Sequence, residues 1–284
     1  MHIERIDTFD LAARTAISTV MDVYNDSRTG RPEPAEQVAV LVRDAGGLTR
    51  GGAGCVSYYD WLHVDLLHLP EELRGQGIGT RVMRAVEREA ARRGCQGVWL
   101  DTAAFQAPGF YRKLGFTPIG TIEDYSGGFD REWLLKRALE DGPDDPGIDV
   151  VRAPDGADQA VILNGLIFYN EQRSGPSESR QFGLLARDTA TGPVMGGLWG
   201  RMSRGWLFVE LLVLPDHARG RGIGTELMDR AEAMVRERGG RGVWLDTFSF
   251  QARPFYEKRG YGVFAEIPDY PAPHRRFLLS KRLL

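Results

Sequence analysis

The sequence contains one long block that occurs twice, and this duplication limits how the chain can fold. Three pairs of segments align at the same offset of 145 residues: RGQGIGT (74–80) with RGRGIGT (219–225), GVWLDT (97–102) with GVWLDT (242–247), and FQAPGFYRKLG (105–115) with FQARPFYEKRG (250–260). Such similarity at a fixed spacing indicates a repeated structural unit. Two copies are too few for a solenoid, in which several repeats stack to bury a continuous core. The repeat therefore predicts two related globular domains.

The length agrees with two domains, and an acidic segment marks the boundary between them. The chain has 284 residues, whereas single domains usually have about 150. The segment EDGPDDPG (140–147) is rich in acidic residues, proline and glycine, a composition typical of exposed linkers. We therefore predict one domain over residues 1–140 and a second over residues 148–284.

Composition and charge argue against several classes of protein. No stretch approaches the roughly 18 apolar residues of a membrane-spanning helix. The net charge of -3 gives no sign of nucleic-acid binding. The two cysteines and five histidines lack the spacing of metal ligands. Because Glu4, Asp7 and Asp10 replace the basic start of a secretion signal, we expect a cytoplasmic protein. We expect no metal, membrane or nucleic-acid partner, and the sequence leaves an oligomer possible without indicating one.

Hydrophobic periodicity predicts that strands alternate with helices in each copy. After a short opening strand, apolar residues recur at helical spacing over residues 11–24. Two strands follow, and then a mostly apolar strand, WLHVDLLHLP (61–70) in the first copy and WLFVELLVLP (206–215) in the second. A helix with one apolar face leads to VWLDT, a short helix and final strands near 132–137 and 275–281. A strand–helix–strand unit implies a parallel pair, so we predict an α/β fold with a mixed sheet.

The most informative segment joins a strand to a helix through three glycines. Each loop reads R-G-x-G-I-G-T, at residues 74–80 and 219–225. Glycines at the start of a helix leave several backbone N–H groups uncovered, and these donors together with the helix dipole suit a phosphate or pyrophosphate. The spacing differs from the dinucleotide motif G-x-G-x-x-G, and the G-K-[ST] of a P-loop is missing. The loops therefore predict an anion site of another kind.

These motifs resemble those of the GNAT N-acetyltransferase superfamily, in two tandem copies. The family signature R/Q-x-x-G-x-G/A matches both glycine loops, and the preceding strand end and the later segment F-Y-x-K-x-G-[FY] match as well. The resemblance covers nearly the whole chain. It implies a mixed, splayed sheet flanked by helices in each copy, with acetyl-CoA or another acyl-CoA as the cofactor.

The resemblance assigns most cofactor contacts to backbone groups. The strand ends would pair with the pantetheine arm and polarise the thioester carbonyl, through Leu67, His68, Leu69, Leu212, Val213 and Leu214. The glycine loops would hold the pyrophosphate, through Arg74, Gly75, Gln76, Gly77, Ile78, Gly79, Thr80, Arg219, Gly220, Arg221, Gly222, Ile223, Gly224 and Thr225. Many family members carry an asparagine where this chain has Ala104 and Ser249, and we expect Gln106 and Gln251 to replace that contact.

Two tyrosines at matching positions are the candidate general acids. Tyr111 and Tyr256 match the family tyrosine that protonates the departing thiolate. A phenol with a pKa of about 10 can hydrogen-bond to a thiolate and protonate it, since the thiol has a pKa of about 8.5. The alternative is that each tyrosine is a packed aromatic side chain beside Phe110 or Phe255.

Two acidic residues at matching positions are the candidate general bases. An amine must lose a proton before it attacks a thioester, because an ammonium group has no lone pair. Asp65 and Glu210 interrupt otherwise apolar strands, and a carboxylate there could attract the amine and accept its proton. A structural, hydrogen-bonded acid is an equally good reading. Asp101 and Asp246 are the second choice for the base, although a capping role beside a threonine also fits them.

The leading hypothesis is an N-acetyltransferase that moves an acetyl group from acetyl-CoA to a primary amine of a small molecule by direct attack. Two alternatives stay open at this point. One copy could be catalytic while the other is a degenerate CoA-binding or scaffold domain, or the whole chain could be a non-catalytic acyl-CoA sensor.

Overall fold

The computed structural model describes residues 2–32 and 34–283, which form two mixed seven-stranded sheets flanked by helices. The first repeat forms β1 (His2–Ile6), α1 (Leu11–Thr29), β2 (Glu36–Arg43), β3 (Thr49–Tyr58), β4 (Trp61–His68), α2 (Ile78–Arg92), β5 (Gly97–Ala103), α3 (Pro108–Lys113), β6 (Thr117–Ser126) and β7 (Phe129–Lys136). The second repeat forms β8 (Asp149–Arg152), α4 (Gly156–Ser174), β9 (Arg180–Arg187), β10 (Val194–Ser203), β11 (Trp206–Val213), α5 (Ile223–Glu237), β12 (Gly242–Phe248), α6 (Arg253–Lys258), β13 (Gly262–Pro268) and β14 (Arg275–Arg282). This architecture confirms the predicted fold class.

The sheets do not divide the chain where the repeats meet. The first sheet has the strand order β6-β7-β5-β4-β3-β2-β8, and the second sheet has the order β1-β9-β10-β11-β12-β14-β13. Strand β1 of the first repeat therefore pairs with β9, and β8 of the second repeat pairs with β2. Helix α1 packs on β10 and β11, while α4 packs on β3 and β4. The two exchanged segments, β1–α1 and β8–α4, each complete the sheet of the other repeat.

Because of the exchange, the two repeats of the sequence do not coincide with the two sheets of the structure. Residues 1–140 and 148–284 are the repeats of the sequence, but each sheet takes its edge strand and first helix from the opposite repeat. Exchange of an equivalent element costs little when both sheets offer a similar surface to it. The sequence pattern of a single repeat does not reveal which of the two sheets its first segment covers.

Side-chain sizes favour the exchanged arrangement over packing within one repeat. His68 of β4 lies against Gly165 of α4, where an added Cβ would come within 2.3 Å of the imidazole ring. In the second sheet the matching pair is Val213 on the strand and Val20 on α1, which belong to one hydrophobic cluster. Compared with the first sheet, the strand residue is smaller and the helix residue is larger. Without the exchange, His68 would face Val20 and the two side chains would compete for the same space.

The two sheets meet through an aromatic layer. Buried rings from both repeats fill it: Tyr59, Trp61, Trp99, Tyr125, Trp133, Trp206, Trp244, Phe248 and Tyr270. Contacts cross between the sheets, as between Trp133 and Trp244, whose ring centroids are 5.4 Å apart. Helices α2 and α5 cover the opposite faces of the sheets over separate aliphatic cores. Because aromatic side chains bury large areas, this layer joins the repeats into one packed molecule.

Candidate active sites

Each sheet opens a cleft where its two parallel strands separate. Strands β4 and β5 pair only from Trp61 opposite Gly97 to Val64 opposite Leu100, and β4 then continues without β5 beside it. Strands β11 and β12 separate in the same way after Val209 and Leu245. The far edge of β4 stays paired with β3 as far as His68. Backbone groups on the open edge are therefore available to an extended ligand. We call the cleft of the first sheet site 1 and that of the second sheet site 2.

The strand ends line these clefts at the predicted positions. Leu67, His68 and Leu69 line site 1, and Leu212, Val213 and Leu214 line site 2. One backbone acceptor in each cleft is already occupied. The carbonyl oxygen of Leu69 accepts a hydrogen bond of 2.8 Å from Nε of Arg74, and that of Leu214 accepts the same bond from Arg219. Beyond Val64 and Val209 no described strand pairs with this edge, and it is the edge to which the resemblance assigns the pantetheine arm.

The glycine loops have the backbone geometry of an anion cradle. Gly75 and Gly77 have φ values of 70° and 76°, and Gly220 and Gly222 have values of 71° and 79°. No atom lies within 4 Å of a Cβ built on these four glycines, so the left-handed conformation, and not a lack of room, requires glycine. Gly77 and Gly222 cap α2 and α5 without a side-chain hydrogen bond, which leaves the first N–H groups of each helix free for a ligand.

Most of the predicted loop residues line the clefts, and three do not. Site 1 is lined by Arg74, Gly75, Gly77, Gly79 and Thr80, and site 2 by Arg219, Gly220, Gly222, Ile223, Gly224 and Thr225. Gln76, Ile78 and Arg221 lie outside the two cavities, and the amide of Gln76 donates to the carbonyl of Glu72. Any role of these three in holding a pyrophosphate is therefore limited to their backbone groups.

The two candidate acids lie inside the clefts as buried phenols. Tyr111 and Tyr256 line sites 1 and 2, and neither hydroxyl forms a hydrogen bond to the residues that the structure describes. Burial, followed by the nearby carboxylate of Asp101, raises the pKa of Tyr111 above its ordinary value. Burial and Asp246 raise the pKa of Tyr256 in the same way. Each phenol therefore stays protonated at neutral pH and can donate to a group in the cleft.

The two candidate bases occupy β-bulges at the point where the strands separate. The pairing of β3 with β4 skips Asp65, and that of β10 with β11 skips Glu210. A bulge re-aims the side chain of the extra residue, and bulges are common beside active sites. Asp65 is exposed in site 1 and forms no ion pair within residues 2–32 and 34–283. Glu210 lines site 2 between two guanidinium groups, 3.5 Å from Arg14 and 3.7 Å from Arg201.

The second-choice bases, Asp101 and Asp246, are each held by an arginine. Nε of Arg131 donates to Asp101 at 2.6 Å, and Nε of Arg276 donates to Asp246 at 2.9 Å. Both ion pairs are partly buried. Asp101 and Arg131 line site 1, whereas in site 2 only Asp246 lines the cleft. In each pair the arginine holds the carboxylate in place through a direct hydrogen bond. In site 1, Asp65 forms no ion pair with the residues that the structure describes, whereas Asp101 does; in site 2, Glu210 and Asp246 both lie beside arginines.

The two glutamines have a structural task that the sequence did not indicate. Oε1 of Gln251 accepts hydrogen bonds from Oγ1 of Thr247 and the backbone N–H of Phe248. Nε2 of Gln251 donates to Asn25 of α1 at 2.8 Å. Gln106 makes the same set of bonds in site 1, with Asn170 of α4 as its acceptor. Both glutamines line the clefts, and these bonds occupy the amide oxygen and one N–H of each, so a CoA contact could use only the second N–H of Nε2.

The exchanged helices contribute functional residues that sequence reasoning missed. Tyr169 and Asn170 of α4 line site 1, and Tyr24 of α1 lines site 2 with Asn25 behind it. The available signal was the Tyr-Asn dipeptide, which both repeats keep within otherwise different helices. That signal showed that the two helices correspond, but not that each one serves the opposite repeat.

The two clefts differ in size and in their walls. The cavity volume is 960 Å³ in site 1 and 560 Å³ in site 2. The hairpin of the second repeat borders site 1 through Ser203 and Arg204, and the matching residues of the first repeat are Tyr58 and Tyr59.

Among the described residues, no group of histidine, cysteine and acidic side chains could hold a metal ion. In that same part of the chain, no helix is long and apolar enough to cross a membrane.

Comparison with known proteins agrees with this geometry. The sequence profile of the acetyltransferase (GNAT) family matches residues 12–116 and 162–261, which is more than half of the chain. The chain belongs to the GNAT acetyltransferase family. Members of this family use acyl-CoA donors. Because the profile matches the chain twice, this GNAT acetyltransferase is an enzyme with two family domains, as the sequence predicted.

The relatives of this GNAT acetyltransferase correspond in length to one repeat. Acetyltransferase Atu2258 of Agrobacterium fabrum is 36% identical over 131 residues, which cover 46% of this chain and 95% of the relative. Blasticidin-S acetyltransferase of Streptomyces morookaense is 45% identical over 93 residues, covering 32% of this chain and 68% of the relative. A crystal structure of an acetyltransferase from Agrobacterium tumefaciens is 33% identical, with a TM-score of 0.44, and covers 46% of this chain and 94% of its own.

Proposed function

We propose that this enzyme transfers an acetyl group from acetyl-CoA to a primary amine of a small molecule by direct attack, at both clefts. One observation carries the proposal. In each cleft, a protonated buried tyrosine, a bulged carboxylate and a free helix N-terminus line one cavity where two strands separate. Together these groups can bind the phosphates of the cofactor, accept the proton of the amine and protonate the departing thiolate.

The carboxylates prepare the amine. Asp65 in site 1 and Glu210 in site 2 attract the cationic amine and accept its proton, directly or through a water molecule. The neutral nitrogen then forms a bond with the thioester carbonyl carbon, and the positively charged nitrogen of the tetrahedral intermediate loses its second proton to water to become the amide nitrogen. Backbone N–H groups on the open strand edges, near Leu67 and Leu212, stabilise the negative charge that develops on the carbonyl oxygen.

The tyrosines complete the transfer. When the carbon–sulfur bond breaks, the electron pair stays on sulfur as a thiolate. Tyr111 or Tyr256 donates a hydrogen bond to that thiolate and supplies the proton that makes free CoA, and the tyrosine recovers a proton from water. Burial keeps both phenols protonated until this step. Neither cysteine takes part, because Cys55 and Cys95 are buried thiols outside the cavities.

Release of free thiol from acetyl-CoA tests the proposal. We expect turnover with a panel of polyamines, aminoglycosides and blasticidin S, the last chosen because a relative is named for it. Tyr111→Phe and Tyr256→Phe should each remove one part of the activity, and the double variant should lose at least tenfold, since general acid catalysis usually contributes that much or more. Full activity of the double variant would contradict the assignment of the tyrosines.

A second candidate function, in which only one cleft is catalytic, is favoured by one difference between the sites. The two arginines beside Glu210 repel a cationic amine, whereas Asp65 forms no ion pair with the residues that the structure describes. Calorimetric titration with acetyl-CoA separates the cases when it is combined with single-site kinetics. Two bound molecules per chain with turnover lost only in Tyr111→Phe would leave site 2 as a CoA-binding domain.

We also propose that the enzyme acts in the cytoplasm, and cell fractionation would test that location.

A further inference from the structure

Each cleft is bordered by two lips, and the exchanged helix from the opposite repeat touches both of them. In site 2, one lip is the loop after β11 that contains Arg219, and the other follows β12 and contains Gln251. Tyr24 of α1 lies beneath the guanidinium of Arg219, 4.2 Å from its Cζ to the ring centroid. The next residue, Asn25, accepts the hydrogen bond from Gln251. Two adjacent residues of one helix therefore reach both sides of the cleft.

The first lip is fixed through the arginine that opens the glycine loop. Nε of Arg219 donates to the carbonyl of Leu214 at 2.8 Å, so the guanidinium ties the loop to the end of the strand. The ring of Tyr24 holds the other face of that guanidinium through a cation–π contact. In site 1, Arg74 bonds to Leu69 and lies over Tyr169 with Cζ 4.5 Å from the ring centroid.

The second lip is fixed through the glutamine. Gln251 binds the backbone N–H of Phe248 at the end of β12, and Asn25 fixes the orientation of that glutamine. Asn25 is only 3% exposed and also donates to the hydroxyl of Tyr58 at 3.3 Å. The hydroxyl of Tyr24 adds a third link, since it donates to the carbonyl of Phe250 at 3.0 Å.

We propose that Tyr24 and Asn25 are positioning residues for site 2, and that Tyr169 and Asn170 are positioning residues for site 1. They set the width of the cleft that receives the acyl-pantetheine arm, and each pair acts on the repeat to which it does not belong. This inference rests on the proposed binding of acetyl-CoA in both clefts. Its distinctive consequence is a crossed pattern, in which a change near residue 24 affects site 2 and leaves site 1 intact.

The test needs proteins with one working cleft. Gly77→Val and Gly222→Val each place a β-branched residue at a strongly positive φ in one glycine loop, which closes the corresponding site. Calorimetry with acetyl-CoA on each full-length variant should give one bound molecule per chain. Tyr24→Ala and Tyr169→Ala are then introduced into both backgrounds, and melting temperatures confirm that the six proteins, the two backgrounds included, are folded. Tyr24 is partly exposed, so its truncation leaves the core intact.

The crossed pattern is the expected result. With only site 2 open, Tyr24→Ala should raise the dissociation constant about tenfold, and Tyr169→Ala should change it less than twofold. With only site 1 open, the two variants should exchange these effects. Tyr24→Phe should keep most of the affinity, because its ring still holds Arg219. Arg219→Ala should make Tyr24→Ala nearly silent, since the two side chains act as one unit.

Three outcomes would overturn the inference, and they differ from failure of the proposed function. Equal effects on both sites, or effects confined to the site of the same repeat, would show that the tyrosines do not act across the repeats. Unchanged affinity in all four combinations would also contradict it. If the parent protein binds no acetyl-CoA, the proposed function fails first, and the positioning role fails with it.

Discussion

At the scale of single residues, the glycines of the anion cradle have two separate effects. They permit the left-handed backbone conformation, and they leave the N–H groups uncovered for a ligand. Gly222 has φ of 79° with open space around its missing side chain. Gly222→Ala should destabilise the folded protein by about 1 kcal/mol, because an L-residue with a Cβ is strained at this φ. Gly222→Asn should recover much of this stability, since asparagine tolerates the left-handed region.

Gly222→Ala and Gly222→Asn should differ in stability but not in their affinity for acetyl-CoA. Either side chain covers N–H groups of the cradle, so both should bind weakly at site 2 whatever their stability. Denaturant unfolding and calorimetry measure the two effects independently. Restored affinity in Gly222→Asn would show that backbone conformation alone determines binding at this loop.

A second residue-scale prediction concerns His63, whose ring is parallel to that of Trp99 with centroids 3.8 Å apart. Phe208 stacks on Trp244 in the same way in the second sheet, at 3.9 Å. Nε2 of His63 is buried and has no hydrogen-bond partner among the residues described. His63→Phe should therefore stabilise the protein by about 1 kcal/mol at pH 8, because it removes an unsatisfied polar atom and keeps the stacking.

The pH dependence of this gain has a definite sign. Burial lowers the pKa of His63 below 6.5, against the opposing effect of Asp65 and Asp101. Below pH 6.5 the unfolded chain thus binds a proton that the folded chain does not yet take up, and stability falls as the pH decreases. The stability difference between His63→Phe and the parent should widen between pH 7 and pH 5. A constant difference over that range, measured by urea unfolding, would rule out this account.

At the scale of elements, the packing of α4 on β4 decides which helix belongs to which sheet. Gly165→Val should destabilise the full chain by about 1 to 3 kcal/mol, because even its Cβ would lie 2.3 Å from the imidazole of His68. His68→Val alone should destabilise by a similar amount, because it leaves a cavity. Together the two changes recreate the pair formed by Val213 and Val20, so the double variant should recover most of the loss. Additive destabilisation in this cycle would mean that the contact does not select the helix.

Another element-scale prediction uses the reach of α1 into site 2. Arg14 lies 3.5 Å from Glu210, and the matching residue beside site 1 is Gln159. Arg14→Gln should lower the Michaelis constant for a cationic amine at site 2 by about two- to threefold, because it removes one repelling charge of a partly exposed pair. The measurement belongs in the Tyr111→Phe background, where site 2 carries the turnover. No change at low ionic strength would count against Glu210 as the amine-binding acid.

Much of each element, and of the site within it, follows from local sequence. The glycine loop, the apolar strand before it and the Tyr in F-Y-x-K-x-G-[FY] are contiguous signals, so they predicted the cradle and the acid together. The strand-end acids stood out because charge is rare in a buried strand. The task of Gln251 could not be predicted, because its partner Asn25 is 226 residues away in the chain. The exchange of β1–α1 and β8–α4 was equally hidden, since repeated sequences look the same with or without it.

At the scale of the whole molecule, the exchange makes each repeat incomplete on its own. A fragment of residues 148–284 would lack β1 and α1, leaving β9 as an open edge and the aromatic layer uncovered. In the full chain, the β8–α4 segment lies on the sheet of the first repeat and not on that of the second. In the fragment, however, two copies can exchange these segments and bury the aromatic layer against each other.

We therefore expect the fragment to form a twofold dimer, and we expect Gly165→Val to strengthen it. In that dimer α4 would lie on β11, so Gly165 would face Val213 and leave the space that Val20 fills in the full chain. Filling this space should lower the dimer dissociation constant about tenfold, while the same substitution destabilises the full chain. Sedimentation equilibrium of both fragments would measure the effect. A stable monomer would contradict this expectation, because it would show that β8–α4 can fold back onto its own sheet.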